Sequence, residues 1–392
     1  MVILLETYCS IMKKALFISC FNWYKTRIEP IREYLIDCGY EVNVIIADYD
    51  HIKKEPIEEK YDECIYCSVP HYKKNLSIKR IHSHLYFGKI VKEYVTDLCP
   101  DFIYVQVPPN NVTRACVEYK KNNKDTCLVL DIIDLWPESM PIERFRSFPF
   151  YKKWKDWRSD CIENADLIYT ECDLYQDILS KELSIKNIHT LRLFKEQSQK
   201  EREKVLETIN TRKKQTVDGL IRFAYLGSMN NILDVNGIKN IIIQCLHLGF
   251  QVELHAIGDG SGRFEFEKTI NEIGCKSFFY GMIFDELEKI KLLGCCDFGF
   301  NMMKETSQVG LTIKSLDYFS MGLPIINNIK GDTWKMVEEE KMGLNYSEHS
   351  LFSNALPDFN HENILSSFDK LLSKTVFINE IKNSLKTIKC NE

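Results

Sequence analysis

The sequence predicts an α/β protein built from two doubly wound parallel-sheet domains that face each other across a cleft. Three observations carry this. A chain of 392 residues exceeds what a single core of ordinary size organises. Apolar runs of strand character alternate with segments of helical period in both halves. Between the halves, from 195 to 218, the composition turns to Lys, Glu, Gln and Arg with almost no large apolar side chain.

The elements follow in order. Met12-Lys13-Lys14 leads into a first strand, Ala15 to Cys20, and residues 1 to 11 read as a frayed extension. Pro30 to Cys38 has helical period and stops at Gly39, and Glu41 to Ala47 forms the second strand. Phe102 to Val107, Cys127 to Ile132 and Leu167 to Thr170 are further apolar strands, each followed by a helical segment. We place the first domain at 1–195 and a linker at 196–219. A second alternation begins at Ile221 to Leu226 and continues through Val252 to Ile257, Ser277 to Tyr280, Asp297 to Asn301 and Pro324 to Asn327, giving a second domain at 220–374. In doubly wound sheets ligands bind beyond the carboxyl ends of the strands, so the search narrows to the loops there.

Composition excludes several classes. Hydrophobic residues make up 45% and charged residues 27%, a globular profile, and a net charge of -5 gives no basic field for nucleic acid. The 15 cysteines are scattered, with Cys20, Cys127 and Cys245 inside apolar segments, so buried free thiols in a reducing compartment are expected. Cys64 and Cys67 have CxxC spacing but no second pair to complete a zinc site. No run approaches the ~20 apolar residues that span a bilayer, and Glu6 interrupts the apolar start, so the chain is expected to stay inside the cell.

Five segments can carry chemistry. The loop after the first strand, Phe21 to Arg27, lacks the glycines of a dinucleotide fingerprint; Asn22, Trp23 and Arg27 can instead reach a sugar or lipid acceptor from the cleft rim, or pack on their neighbours. Asp48 and Asp50 have the Asp-x-Asp form of metal-dependent sugar transferases. Asp131-Ile-Ile-Asp-Leu-Trp-Pro-Glu-Ser139 ends a strand with two acids, Asp134 and Glu138, for sugar hydroxyls or a reacting oxygen, and with Trp136 as a stacking face; alternatively the tryptophan is core and the acids cap a helix. Gly258-Asp-Gly-Ser-Gly262, before Arg263, is a tight turn or a phosphate cradle. The most informative run is Val309 to Ile326: a helix from Thr312 to Met321, closed by Gly322, offers a positive N-terminus and the Thr312 hydroxyl to a diphosphate. Lys314 and Asp317 share a face there, one for phosphate and one for ribose, or form an ordinary ion pair.

With these residues the chain resembles a GT-B-fold glycosyltransferase of family 4, of the bacterial capsule and exopolysaccharide type. The segments that carry the resemblance are Asp131 to Ser139, Tyr225-Leu-Gly-Ser228, Ile257-Gly-Asp-Gly260 with Arg263, and Lys314 to Pro324. The resemblance implies a nucleotide-sugar donor, UDP- or dTDP-linked, held by Gly227, Ser228, Gly258, Asp259, Arg263, Gly310, Thr312, Lys314 and Asp317, with Asp134, Glu138 and Lys314 at the reacting centre. It also implies retention of configuration, no metal or other cofactor, and a final helix at 375–392 crossing back to the first domain. The family's two glutamates eight positions apart are replaced here by Val309 and Asp317. An inverting reaction would instead make Asp131 or Asp134 the general base. A nucleotide-sugar epimerase of the same architecture, or a metal-dependent transferase using Asp48 and Asp50, is the alternative reading.

Residues 71 to 92 hold Lys73, Lys74, Lys79, Arg80, Lys89 and Lys92 and no acid, alongside Ile78, Ile81, Leu85, Val91 and Val95 at helical spacing. Phe148 to Lys155 mixes aromatics with lysines. Both suit an anionic membrane surface, and the expected partner is a lipid-diphosphate-linked saccharide at the inner face of the plasma membrane, with no nucleic acid.

Overall fold

The computed structural model describes residues 12–21, 24–75, 77–140, 142, 146–183, 187–214, 219–305, 308–347 and 357–388. The first half runs β1 (Lys14–Ser19), a π-helical turn (Tyr24–Ile28), α1 (Glu29–Asp37), β2 (Glu41–Ala47), the short hairpin β3 (Tyr49–Asp50) and β4 (Glu55–Pro56), then β5 (Cys64–Cys67) and α2 (Ile78–Leu98). It continues through β6 (Phe102–Val107), α3 (Asn110–Asn122), β7 (Cys127–Ile132), α4 (Pro149–Ile162), β8 (Leu167–Thr170), α5 (Asp173–Leu183) and β9 (Ile188–Thr190). After α6 (Gln199–Lys214) come β10 (Leu220–Leu226), α7 (Val235–His247), β11 (Gln251–Ile257), α8 (Arg263–Glu272), β12 (Lys276–Gly281), α9 (Glu286–Leu293) and β13 (Phe298–Asn301). The chain closes with α10 (Ile313–Ser320), β14 (Ile325–Asn327), α11 (Asp332–Glu339), β15 (Gly343–Asn345), α12 (His361–Leu372) and α13 (Lys374–Leu385).

Two parallel sheets result. The first has the order β5-β2-β1-β6-β7-β8-β9 and the second β12-β11-β10-β13-β14-β15. Each reverses direction once, between β1 and β6 and between β10 and β13, which sets a switch point in each sheet where loops splay apart and leave a crevice. Helices cover both faces, which is why all six residues of β6 and of β7 are buried.

The stretch 195–218 holds α6. Its Val205 and Ile209 are buried, a thin apolar stripe in an otherwise charged helix. At the C-terminus α13 inserts Phe377, Ile381 and Leu385 into the apolar layer formed by α1 and the first sheet, each contributing ~1.5–3 kcal/mol by burial. Tyr169 and Ser384 are 2.7 Å apart, hydroxyl to hydroxyl, in the same layer. Cys20, Cys67 and Cys245 carry buried free thiols and Cys64 a half-buried one, whereas Cys127 is disulfide-bonded, which corrects the expectation at that position.

Candidate functional site

The second sheet's switch point is built by three loops. Gly227, after β10, donates its N–H to Ile257 at 3.0 Å, and Met229 donates to Asp259 at 2.9 Å, so the loops after β10 and β11 are zipped together. A Cβ on Gly258 would lie 1.9 Å from the Gly227 carbonyl oxygen, and one on Gly260 2.4 Å from that of Met229. Both glycines also have positive φ, 138° and 155°. The glycines of the 258–262 turn therefore serve close packing of two backbones, and the turn is a brace rather than an open cradle. Ser228 and Asp259 lie at the surface of this brace; the Asp259 carboxylate accepts its neighbour Gly260's N–H at 2.7 Å, and Arg263 donates to the Phe279 carbonyl at 3.3 Å.

Helix α10 points its N-terminus at that brace. Thr312 caps it: its hydroxyl oxygen accepts the Ser315 N–H at 3.2 Å and donates to Asn301 at 2.9 Å. The hydroxyl expected to meet a diphosphate is thus engaged in capping, and what the helix end offers a ligand is its first backbone N–H groups and its dipole. Gly310 is corrected more firmly. A Cβ there would lie 2.9 Å from both Cys172 Sγ and Asp332 Oδ2, so this glycine lets the two domains approach and does not face a ligand.

Lys314 and Asp317 diverge. The Lys314 amine lies 5.3 Å from the Tyr225 ring centroid, with its chain beside Gly227, and it forms no ion pair among the described residues. Desolvation without a compensating anion pushes its ammonium down to about 8. An amine so placed, at a helix N-terminus and a switch point, is chemically able to meet an anionic group. Asp317 turns toward the first domain instead and pairs with Lys195, which also holds Glu286 at 2.7 Å. Asp317, Lys195, Glu286 and Ile313 line an interdomain cavity of about 390 Å³. A larger cavity of about 760 Å³, around Lys13, Asp101 and Asp166, sits at the amino ends of the first sheet, the wrong edge for a doubly wound site.

In the first domain several expected ligands are engaged elsewhere. Arg27 is fully buried, fork-bonded to Asp131 and donating to the Leu191 carbonyl at 2.6 Å, so it braces the core and does not reach an acceptor. Asp131, which also accepts from the Tyr104 hydroxyl, is equally excluded as a base. Glu138 is clamped by Arg158 at 2.7 and 2.9 Å, with Lys155 at 3.3 Å, and is corrected to a structural carboxylate. Trp136 is 7% exposed; the Arg80 guanidinium lies 4.5 Å from its ring centroid, so the face expected to stack on a sugar is covered by protein. Asn22 and Trp23 lie outside the described residues.

Asp134 remains at the cleft. It accepts the Trp136 indole N–H at 2.6 Å, and Tyr175, whose hydroxyl stands 3.5 Å from its other oxygen, donates to the Gln308 carbonyl of the second domain at 3.1 Å. Burial raises the Asp134 carboxyl above its ordinary range. Sequence reasoning missed Glu171, which directly follows β8. Burial first, then Asp134, Asp131 and Asp332 nearby, push it up to about 8 against the opposing pull of Arg27. Its position one residue past a strand end was the available signal. Arg80, which the sequence places among the exposed basic residues of 71–92, is 7% exposed.

The parallel sheets, their switch points and the cleft together define the GT-B fold. No family model matches the chain, and no curated protein sequence matches it. Among solved structures, HepE of Anabaena in complex with UDP and glucose is similar at a TM-score of 0.63 and 13% identity, over 96% of this chain and 100% of that one. The lipopolysaccharide outer core galactosyltransferase WaaB, in apo form, is similar at 0.60 and 15%, over 95% and 99%. A trehalose-6-phosphate protein from E. coli bound with UDP-2-fluoro glucose follows at 0.56 and 9%, over 97% and 96%.

Proposed function

We propose that the protein is a glycosyltransferase that moves a hexose or deoxyhexose from a UDP- or dTDP-sugar to a lipid-linked saccharide in cell-surface polysaccharide synthesis. The observation that carries the reading is Lys314, a desolvated amine without an anionic partner among the described residues, set at the N-terminus of α10 where the second sheet switches direction. A donor diphosphate completes that site: Lys314 and the helix end neutralise the charge that develops on the departing nucleotide. The similar folds that bind UDP and UDP-2-fluoro glucose support the same class of donor here.

Asp317, at the cleft cavity, takes the ribose after exchanging Lys195 for it, and Asp134 orients the acceptor or donor sugar. Retention and metal independence belong to this reading. Metal independence draws support from Asp48 and Asp50 being engaged by backbone: Asp48 accepts the Val69 N–H at 3.0 Å, and Asp50 those of Ile52 and Lys53 at 2.7 and 2.9 Å. Among the described residues no three potential ligands converge as a metal site.

Membrane association rests on α2 and α4. Ile78, Ile81, Leu85, Phe148 and Phe150 are exposed, and Lys79, Lys89, Lys152 and Lys153 lie exposed among them. Val91 and Val95 belong instead to the core. No helix among the described residues is long and apolar enough to cross a bilayer; the contact proposed is with the inner membrane surface, through these two helices.

The test is a thermal-shift panel of UDP-, dTDP- and GDP-sugars followed by nucleotide release with a lipid-linked acceptor. A rise in melting temperature with one donor, and acceptor-dependent release that survives EDTA, is expected. No shift with any donor removes the reading; conversion of the donor without acceptor selects an epimerase; loss with EDTA selects the metal-dependent class.

A further inference from the structure

Arg80 sits in the first turn of α2, whose N-cap Ser77 accepts the Arg80 N–H at 3.2 Å. The guanidinium turns inward to the first sheet's switch point, against Trp136 and within 5.7 and 5.9 Å of the Tyr72 and Phe21 rings. Its Nη1 donates to the Asn75 carbonyl at 3.2 Å, while its buried Nε has no partner. It makes no ion pair among the described residues, and the first turn of α2 carries no acid. One turn on, His84 is 6% exposed and its Nε2 is likewise buried and unpartnered. Burial and the Arg80 charge hold His84 down at about 3 and His51 at about 4, so both rings are neutral and neither supplies nor repels a counter-charge at neutral pH. The Tyr72 hydroxyl bonds the guanidinium and Asp134 attracts it without pairing with it, but a buried guanidinium with no anion in contact is costly, and the helix N-terminus adds to the local positive potential. Other cations nearby, such as Lys54, sharpen the deficit.

We infer that Arg80 and His84 form an anion subsite in the first domain that takes a phosphate ester on the acceptor, with Phe21 and Tyr72 walling the group that carries the phosphate. The planar fork of arginine matches phosphate oxygens, and a neutral imidazole N–H adds a donor. The inference rests on the glycosyltransferase reading for the word acceptor, but the subsite stands on its own geometry. Ile78 and Ile81 on the same helix turn are 84% and 52% exposed, which suits an ester presented from a lipid surface.

The experiment saturates the protein with UDP, which fills the donor site, and then titrates phenyl phosphate, with phenyl glucoside as the uncharged control. Wild type is expected to gain several degrees in melting temperature with the ester alone. Arg80→Met is expected to lose that response while its ligand-free melting temperature holds or rises, since an uncompensated charge has been removed. Arg80→Lys, which keeps the charge but not the fork, binds the ester at least tenfold more weakly. Lys314→Met loses the UDP response and keeps the phenyl phosphate response, which separates a failure of the donor reading from a failure of this one. Vesicles containing phosphatidic acid distinguish the source: sedimentation of wild type but not Arg80→Met identifies a lipid phosphate, and binding of the free ester alone identifies a soluble one. A wild type that ignores the ester, a response that survives in Arg80→Met, or an equal response to phenyl glucoside overturns the subsite.

Discussion

The carboxylate of Asp332, in the second domain, accepts the backbone N–H of Asp173, in the first, at 2.9 Å. The other oxygen accepts from Leu174 at 3.2 Å, and Arg192 donates to the same group at 3.1 Å. Asp332 is therefore an N-cap supplied across the cleft: it satisfies the free end of α5 while standing at the first position of its own helix α11, so two helix dipoles converge on one buried charge. This contact ties the two domains beside Gly310. Asp332→Ala is expected to cost ~1–3 kcal/mol, the scale of a charged cap, read by urea denaturation, and to loosen the domain contact, read as faster amide exchange at Asp173 and Leu174. Unchanged exchange there would show that the cap does not hold the domains.

Lys314 gives a pH prediction whose sign is fixed. Its folded-state value of about 8 lies below the ordinary 10.5, so the charged form is penalised in the folded protein at all pH below about 8, and the penalty fades as pH rises from 8 to 10.5. Lys314→Met is expected to raise stability at pH 7 by ~1–3 kcal/mol. UDP affinity should fall as pH passes 8 in wild type and stay low and flat in the variant. Calorimetry between pH 6.5 and 9.5 reads both, and a pH-independent wild type would detach Lys314 from the diphosphate.

Arg27 and Asp131 are separated by 104 residues and meet with both side chains wholly out of water. Their attraction roughly offsets their desolvation, so the pair adds little net stability, but breaking it strands a charge. Arg27→Met is expected to cost ~3–5 kcal/mol for that reason, while UDP affinity measured on the folded fraction stays at the wild-type value. A lost UDP response at full folding would return Arg27 to the ligand site.

Asp317→Asn tests the ribose assignment. The substitution removes one of two acids on Lys195 and leaves Glu286 to hold it, so the fold should lose little, while donor binding should weaken by ~1.5–3 kcal/mol, the worth of a charged hydrogen bond. Equal donor affinity in calorimetry would make Asp317 a domain-contact residue only.

What was legible in the sequence and what was not divide along one physical line. Strands buried on both faces announce themselves as continuous apolar runs, and Phe102–Val107, Cys127–Ile132 and Leu167–Thr170 match the structure residue for residue. The three-residue edge strands β9 and β15 carry too few residues for a period and were missed. Charged residues near strand ends read as ligands because sequence shows the charge and hides its partner: Arg27 finds Asp131, and Glu138 finds Arg158, only in three dimensions. Arg80 had a usable signal. His84, Phe87, Val91 and Val95 define the inward face of α2, and that face extends back to position 80, whereas Ile78, Ile81 and Leu85 lie on the other side.

Glu171 yields the last prediction. Its folded value of about 8 stands above the ordinary 4.5, so between these values the folded protein holds a proton that the unfolded chain has released. Stability from this group is full below 4.5 and is lost as pH rises through 8, opposite in slope to the Lys314 contribution and in a lower window. Glu171→Gln mimics the protonated side chain and should flatten that decline, raising the melting temperature at pH 8 more than at pH 5. The carboxyl lies near Asp134 and close to the Tyr175 and Asp332 contacts that join the domains, so ionising it puts negative charge beside a cleft already holding two acids. A donor diphosphate brings more. If Glu171 senses that charge, saturating UDP raises its value further, and the variant takes up fewer protons on binding than wild type, the uptake that remains belonging to Lys314. Calorimetry in buffers of different ionisation enthalpy at pH 7.5 measures the proton count, and an equal count in both proteins would place Glu171 outside the electrostatic reach of the donor.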